Sequence, residues 1–445
     1  MAISANTEAF IPFRRRELID LCIKENKLKP GQQELFHNFC ELLSAFFHFK
    51  YQQELETAKS VYLPINPDKE SLGQYQLNQS DRVALGKQLS ETVEELLDAA
   101  NYQKFLPADL DHALTKESIV PLKTKVDFND FNQVSVFYRG AKDSTLNQRK
   151  WFRNHSIPIK NLSRVVLLLA FKDETYFQAK KKQSLAKELG FAPGKTYLFL
   201  YKNVPRCDIE LLFPNVEVAM SFKDRLLFSL PAIGAVVPLI GKILPSLALL
   251  GAAIVLVFLG TDALQSFGIS KAPPDNLFPV LSAALTVGIG LGGFAVKQYL
   301  NYKNKRLKFL KEVTDTLFFK CLVTNEGVIH SIVDATEEEV CKEIILIYYH
   351  LLISDGGMTA KQLDSRIESW LNGKFSAQID FDIEKGLTQL SALSAPIGST
   401  EGSNPSFLVN CNTESELSVL PLEDALKVVD YLWDAAFPYA QKATD

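Results

Sequence analysis

A few stretches of this 445-residue chain carry residue types at spacings that could do chemistry. Gly190 to Thr196, GFAPGKT, has the glycines, lysine and threonine of a phosphate loop. It is one residue short of GxxxxGK[ST], and YLFLY follows where a helix would have to begin. Without a helix N-terminus there is no row of amides and no dipole for a phosphate, so a turn before a strand is expected. ADLDHAL supplies Asp109, Asp111 and His112, but no second ligand cluster lies nearby, and a solvated helix start is the better reading. Arg139 in YRG and Arg206 in VPRCD each sit beside a strand end and a turn. These two are the candidate functional side chains, with structural hydrogen bonding the favoured role for both. The six cysteines, Cys22, Cys40, Cys207, Cys321, Cys341 and Cys411, form no CxxC, which points to free thiols in a reducing compartment. No nucleophile is spaced with a base, so the expectation is a protein without catalytic residues, cofactor or metal.

The elements that would position such residues read as α+β. Residues 1–125 are mainly helical: RRRELIDLCIKE, then QQELFHNFCELLSAFFHFKYQQELE, then DRVALGKQLSETVEELLDAA with Ser80 as its cap. From Asp127 the runs FNQVSVFYRG, SRVVLLLAFK, KTYLFLYK and VEVAMSF are β-branched and aromatic between turn signals, which predicts an antiparallel sheet. The N-terminus has neither a signal pattern nor a transit-peptide pattern, so export is not expected.

Charge is segregated along the chain. Lys+Arg against Asp+Glu number 32 and 28 in residues 1–225, 8 and 2 in 226–311, and 8 and 22 in 312–445. The basic middle is also strongly apolar. From Leu226 to Gly260 it bears one basic residue, Lys242, and a straight helix of about 35 residues would run about 50 Å against a hydrocarbon core of about 30 Å. The expectation is therefore an interfacial or re-entrant helix at 226–242, a span at 243–260 and a second span at 277–296. Basic flanks assign both ends of this hairpin to the cytoplasmic leaflet, with Lys223, Arg225, Lys242, Lys297, Lys303, Lys305, Arg306 and Lys308 at the interface. Ala284, Gly288 and Gly292 recur every four residues and suit close helix packing, within the hairpin or in a homo-oligomer.

The remainder, 301–445, is acidic. A capping box at Thr336–Glu339 is expected to open one helix, Thr359 with Gln362 a second, and DIEKGLTQLSAL a third. Two short runs, PSFLVN and LSVLPL, and a last helix, LEDALKVVDYLWDAAF, complete a winged-helix-like order. The net charge of -14 over residues 312–445, from 8 bases against 22 acids, excludes phosphate contact and hence nucleic acid. The layout expected is a cytoplasmic α+β domain at 1–225, a membrane region at 226–300 and the acidic domain at 301–445.

In sequence order, FIPFRRRELID, VFYRG, VVLLLAFK, YLFLYKNVPRCDIELLFPN, DRLLFSLPA, MTAKQLDSRIESWL and LPLEDALKVVDYLWDAAFPY resemble an uncharacterised membrane-protein family. That family includes eukaryotic transmembrane protein 143. The resemblance covers nearly the whole chain and implies two spans, but no activity and no site residues. It suits a bacterial inner membrane with both termini cytoplasmic. The function expected is non-enzymatic binding or scaffolding of a protein partner at the lipid bilayer, with an oligomeric transport or channel component as the alternative.

Overall fold

The computed structural model describes residues 9–68, 77–106, 123–150, 153–183, 186–187, 190–219, 319–354, 356–375, 378–397, 405–412 and 415–436, with isolated positions between 282 and 311. Its helices are α1 (Arg15–Lys24), α2 (Gln32–Tyr62), α3 (Gln79–Ala99), α4 (Glu174–Ala179), α5 (Glu326–Leu352), α6 (Ala360–Phe375), α7 (Ile383–Ser391) and α8 (Leu422–Ala435). Its strands are β1 (Gln103–Lys104), β2 (Lys123–Lys125), β3 (Phe131–Lys150), β4 (Arg153–Phe171), β5 (Thr196–Pro205) and β6 (Glu217–Ala219). They continue with β7 (Cys321–Thr324), β8 (Ser394–Ala395), β9 (Ser406–Phe407), β10 (Val409–Cys411) and β11 (Leu417–Val419). Two units divide the chain. The first holds residues 1–117, 127–209 and 320–445, and the second holds 118–126 and 210–319. Among the described residues the second unit contributes the β2–β6 pair.

The run IILIYYHLL sets the centre of the first unit. Every residue from Ile344 to Leu351 is buried, and a helix apolar all round must be enclosed by other elements. The sequence supplies them from both ends of the chain: α5 packs on α1, α2 and α3 as well as on α6 and α7. Phe36, Phe39, Leu43 and Phe47 of α2 recur at helical spacing and bury in the same core as Val328, Ile332 and Leu346 of α5.

The sheet of this unit runs β1-β3-β4-β5-β7, antiparallel throughout. Strand β4 is central, and Val165 to Leu169 are each 0% exposed. A continuous VVLLL run is what a strand covered on both faces requires. Val166 and Leu168 of β4, with Leu198 and Leu200 of β5, join the helical core. Pairing of β3 with β4 runs from Phe131↔Phe171 to Lys150↔Arg153, whereas β5 accompanies β4 only from Asn161 to Ala170. The junction between β7 and α5 is pinned at Asn325, whose φ is +50°. Its side-chain oxygen accepts from the Leu198 amide at 3.3 Å and lies 3.1 Å from the Tyr62 hydroxyl, while its amide donates to Asp68 at 2.6 Å. Several partners thus hold a backbone conformation that a non-glycine residue seldom adopts.

The α+β class stands, but the two-span hairpin does not. Among the described residues no helix is long and apolar enough to cross a membrane. The long helices fail on charge: α5 has 27 residues but carries Glu337, Glu338, Glu339, Lys342 and Glu343 in its middle. The expected segments 226–242 and 243–260 lie outside the described residues. Of 277–296, Ser282, Ile289, Gly292, Gly293 and Val296 are described, and they are helical and exposed. Lys297 and Lys303 are likewise helical and exposed, while Lys223, Arg225, Lys242, Lys305, Arg306, Lys308, Ala284 and Gly288 lie outside the described residues. The integral, multi-pass inner-membrane assignment with cytoplasmic termini is therefore not supported, nor is the transport alternative built on it.

Two caps also differ from expectation. Asn78, not Ser80, caps α3, accepting from the Asp81 amide at 2.8 Å, and the Ser80 hydroxyl donates to Asn78 at 2.7 Å. Thr336 lies inside α5, and its hydroxyl is 2.9 Å from the Ile332 carbonyl and 2.8 Å from that of Leu96. The apolar run Val328–Val333 carries the helix back past the supposed start, and packing outweighs a local cap signal. The Thr359–Gln362 box does form: the Thr359 amide donates to Gln362 at 3.0 Å, and the Gln362 amide to the Thr359 hydroxyl at 3.4 Å.

Candidate functional site

A pocket of about 350 Å³ opens between the first turns of α3 and the β4–β5 end of the sheet. Helix α3 places Gln79, Arg82, Val83, Gly86 and Lys87 along it, residues three, four and seven apart and so on neighbouring turns of one face. Opposite stand Asn132 and Gln133, at the bulge that opens β3, and Ala170 and Phe171, where β4 ends. Asp173, Gly194 and Thr196 complete the lining.

Its electrostatics are set by Arg82, Lys87 and Asp173. Lys87 has an exposed partner in Glu91 at 3.7 Å, a pair with small stabilising effect in water. Arg82 is exposed, and among the described residues its guanidinium has no hydrogen bond or ion pair. Asp173 caps α4: its Oδ1 accepts from the Tyr176 amide at 3.2 Å and from the Thr175 hydroxyl at 2.9 Å. Gly194 adopts φ +73°, and a Cβ there would lie 3.0 Å from Arg82 Nη1 and 3.8 Å from the Asp173 Cα. The positive φ favours glycine, and a Cβ there would also press on the tip of the arginine that lies against it. None of the lining residues is His, Cys or Ser, and its one hydroxyl is that of Thr196.

The loop flagged in the sequence as GFAPGKT forms one rim of this pocket. The strand β5 starts at Thr196, so no helix N-terminus follows it and the phosphate-loop geometry is absent, as its spacing implies. Lys195 turns away and donates to the Pro64 carbonyl at 3.1 Å. Sequence reasoning missed Arg82 and Asp173. One is a single basic residue on an exposed helix face, the other a helix cap, and only the fold brings them to one cavity.

Arg139 and Arg206 are not part of the pocket lining. Arg139 is half-buried, its guanidinium 4.0 Å from the Phe10 ring and 4.5 Å from the Tyr102 ring, and Nη1 donates to the Ala100 carbonyl at 3.0 Å. Arg206 opens the turn after β5, 5.4 Å from the Phe105 ring. Beside Arg139 lies a buried polar cluster on α5. Lys342 Nζ donates to Glu339, to the Ile11 carbonyl at 2.6 Å and to the Phe13 carbonyl at 3.1 Å, and Glu339 accepts from the Ile11 amide at 3.2 Å. Glu338 accepts from the Arg15 amide at 2.7 Å, and Glu337 from the Arg15 side chain at 3.1 Å. The glutamates expected to cap a helix instead grip residues 11–15. Burial pushes Glu339 up and Lys342 down, each towards its neutral form, and their contact opposes both shifts. Glu343, which accepts from Asn101 at 2.7 Å, is pushed by burial up to about 8.

All six cysteines are free. Burial raises the Cys22 and Cys341 thiols to about 12, so both stay protonated and poorly nucleophilic at neutral pH. Among the described residues no group of His, Cys, Asp and Glu is placed to hold a metal ion. Asp109, Asp111 and His112 lie outside the described residues.

A domain described as a protein of unknown function, DUF3754, is found at residues 162–327. That span runs from within β4 to the start of α5 and includes Ala170, Phe171, Asp173, Gly194 and Thr196 of the pocket, whereas Arg82 lies outside it. No solved structure matches this chain.

Proposed function

We propose that the first unit is a non-covalent binding module whose pocket takes a small anionic molecule. The observation that carries this reading is the Arg82 guanidinium: it stands at a 350 Å³ cavity without a carboxylate partner among the described residues. A guanidinium offers several donors in a planar fork, which matches carboxylate and phosphate oxygens. The volume falls within the range of small-molecule sites. Lys87 adds a second positive charge on the same helix face.

The test is calorimetric titration of the full chain with acetate, isovalerate and inorganic phosphate, repeated on Arg82→Gln. Binding of at least one anion that weakens tenfold or more in the variant supports the reading. Equal binding by both proteins, or by neither, ends it. Kinship with the family that includes transmembrane protein 143 is a further proposal, resting on the ordered motifs from FIPFRRRELID to LPLEDALKVVDYLWDAAFPY. It assigns no activity.

A further inference from the structure

We infer that the ligand of this pocket is a zwitterion with an apolar body, of the class of the apolar α-amino acids. The inference rests on the pocket being an anion site and adds a second charge to it. Arg82 and Asp173 both line the cavity, yet they make no ion pair with each other or with another described residue. Asp173 uses Oδ1 for the amide of Tyr176 and the hydroxyl of Thr175, so Oδ2 has no donor among the described residues. Gly194 lies beside both residues, with Arg82 Nη1 3.0 Å and the Asp173 Cα 3.8 Å from the position a Cβ would take there. A positive and a negative group at one cavity are complementary to a molecule carrying both signs.

An α-amino acid carries them one carbon apart. Its carboxylate accepts from the Arg82 guanidinium, and its ammonium donates to Asp173 Oδ2. The side chain then lies against Val83, Ala170 and Phe171, which supply the apolar part of the wall. Gln133 is left to hydrogen-bond the remaining oxygen or ammonium protons, while the Asn132 amide already donates to the Phe171 carbonyl at 3.4 Å. The arrangement also sets selectivity: a simple carboxylate satisfies only Arg82, and a simple amine satisfies only Asp173.

Calorimetry on the full chain with leucine, leucinamide and N-acetylleucine tests this. Leucine is expected to bind at least tenfold more tightly than either derivative, since one lacks the carboxylate and the other the ammonium. In Asp173→Asn, which keeps a side chain able to cap α4, the preference for leucine over N-acetylleucine should vanish. If N-acetylleucine binds the native chain as well as leucine does, the zwitterion is wrong and the anion site survives. If none of the three binds and acetate and phosphate also fail, both readings fall.

Discussion

Replacing Glu343 with Gln is expected to make the protein more stable at alkaline pH, against the usual sign of a core substitution. Glu343 is 2% exposed, and burial is the largest cause of its rise from an ordinary value near 4.5 to about 8. The nearby carboxylates of Glu339 and Asp382 push the same way, while the Asn101 hydrogen bond and Lys385 oppose it. The unfolded chain ionises this group near 4.5 and the folded chain near 8, so between those values the folded state binds more protons. Stability is therefore fully present below 4.5 and declines as pH rises towards 8. At about 1.4 kcal/mol per pH unit, the loss approaches 5 kcal/mol above pH 8, and about 4 kcal/mol of it falls between pH 5 and pH 9. Glutamine keeps the acceptor for Asn101 and removes the ionisation. Urea denaturation followed by tryptophan fluorescence at pH 5, 7 and 9 measures the difference. The variant's advantage should widen by several kcal/mol across that series. A gap that stays constant to within about 0.5 kcal/mol, the scatter of ordinary substitutions, would refute the claim that Glu343 is neutral in the fold.

Two further outcomes follow from the same geometry. His350 is 1% exposed, neither ring nitrogen has a hydrogen-bond partner among the described residues, and burial, with Arg366 adding to it, lowers its pKa from 6.5 to about 3. Its neutral state stabilises the fold fully above 6.5, and that contribution declines as pH falls towards 3, so His350→Phe should gain on the native chain in denaturation between pH 6.5 and pH 4 by up to about 3 kcal/mol. No change in the gap over that interval would count against a buried neutral imidazole. Gly194→Ala forces a Cβ to within 3.0 Å of Arg82 Nη1 at a φ of +73°, and left-handed backbone costs a non-glycine residue about 1–2 kcal/mol. Denaturation should show that loss, and calorimetry should show weakened anion binding, since the Arg82 tip is displaced by a few tenths of an ångström or more. Unchanged affinity would separate Arg82 from the ligand.

What was legible in the chain follows from how local each signal is. The helices Arg15–Lys24, Gln32–Tyr62 and Gln79–Ala99 announce themselves through periodicity, and the runs FNQVSVFYRG, SRVVLLLAFK and KTYLFLYK mark parts of the strands Phe131–Lys150, Arg153–Phe171 and Thr196–Pro205. The fold class follows from their order. The box at Thr336–Glu339 misled because Glu338 and Glu339 serve the amides of Arg15 and Ile11, partners more than three hundred residues away in sequence. The 8 bases against 22 acids beyond residue 311 mark an acidic C-terminal part but do not say what it packs on; α5 packs on α2 and α3. The glutamates that add to that charge are partly spent holding the N-terminal segment. For the pocket, the turn at Gly190–Thr196 was visible but its use was not. Arg82 and Asp173 lie on opposite sides of the β3–β4 hairpin in sequence, and nothing about either residue type at its own position separates it from a solvated surface charge.

The hydrogen bonds between β5 and β7 bear on the order in which the chain can assemble. Phe199 and Leu200 are in register with Thr324 and Val323, yet the whole stretch from Arg206 to Lys320 intervenes. During synthesis, α2, α3 and four strands of the sheet leave the ribosome while the helix that fills their core is still unmade. Until then Phe36, Phe39, Val166 and Leu168 have no Tyr348 or Leu346 to cover them. Nascent chains halted before residue 320 would therefore remain sticky, and they are the species that chaperones of the cell would be occupied with.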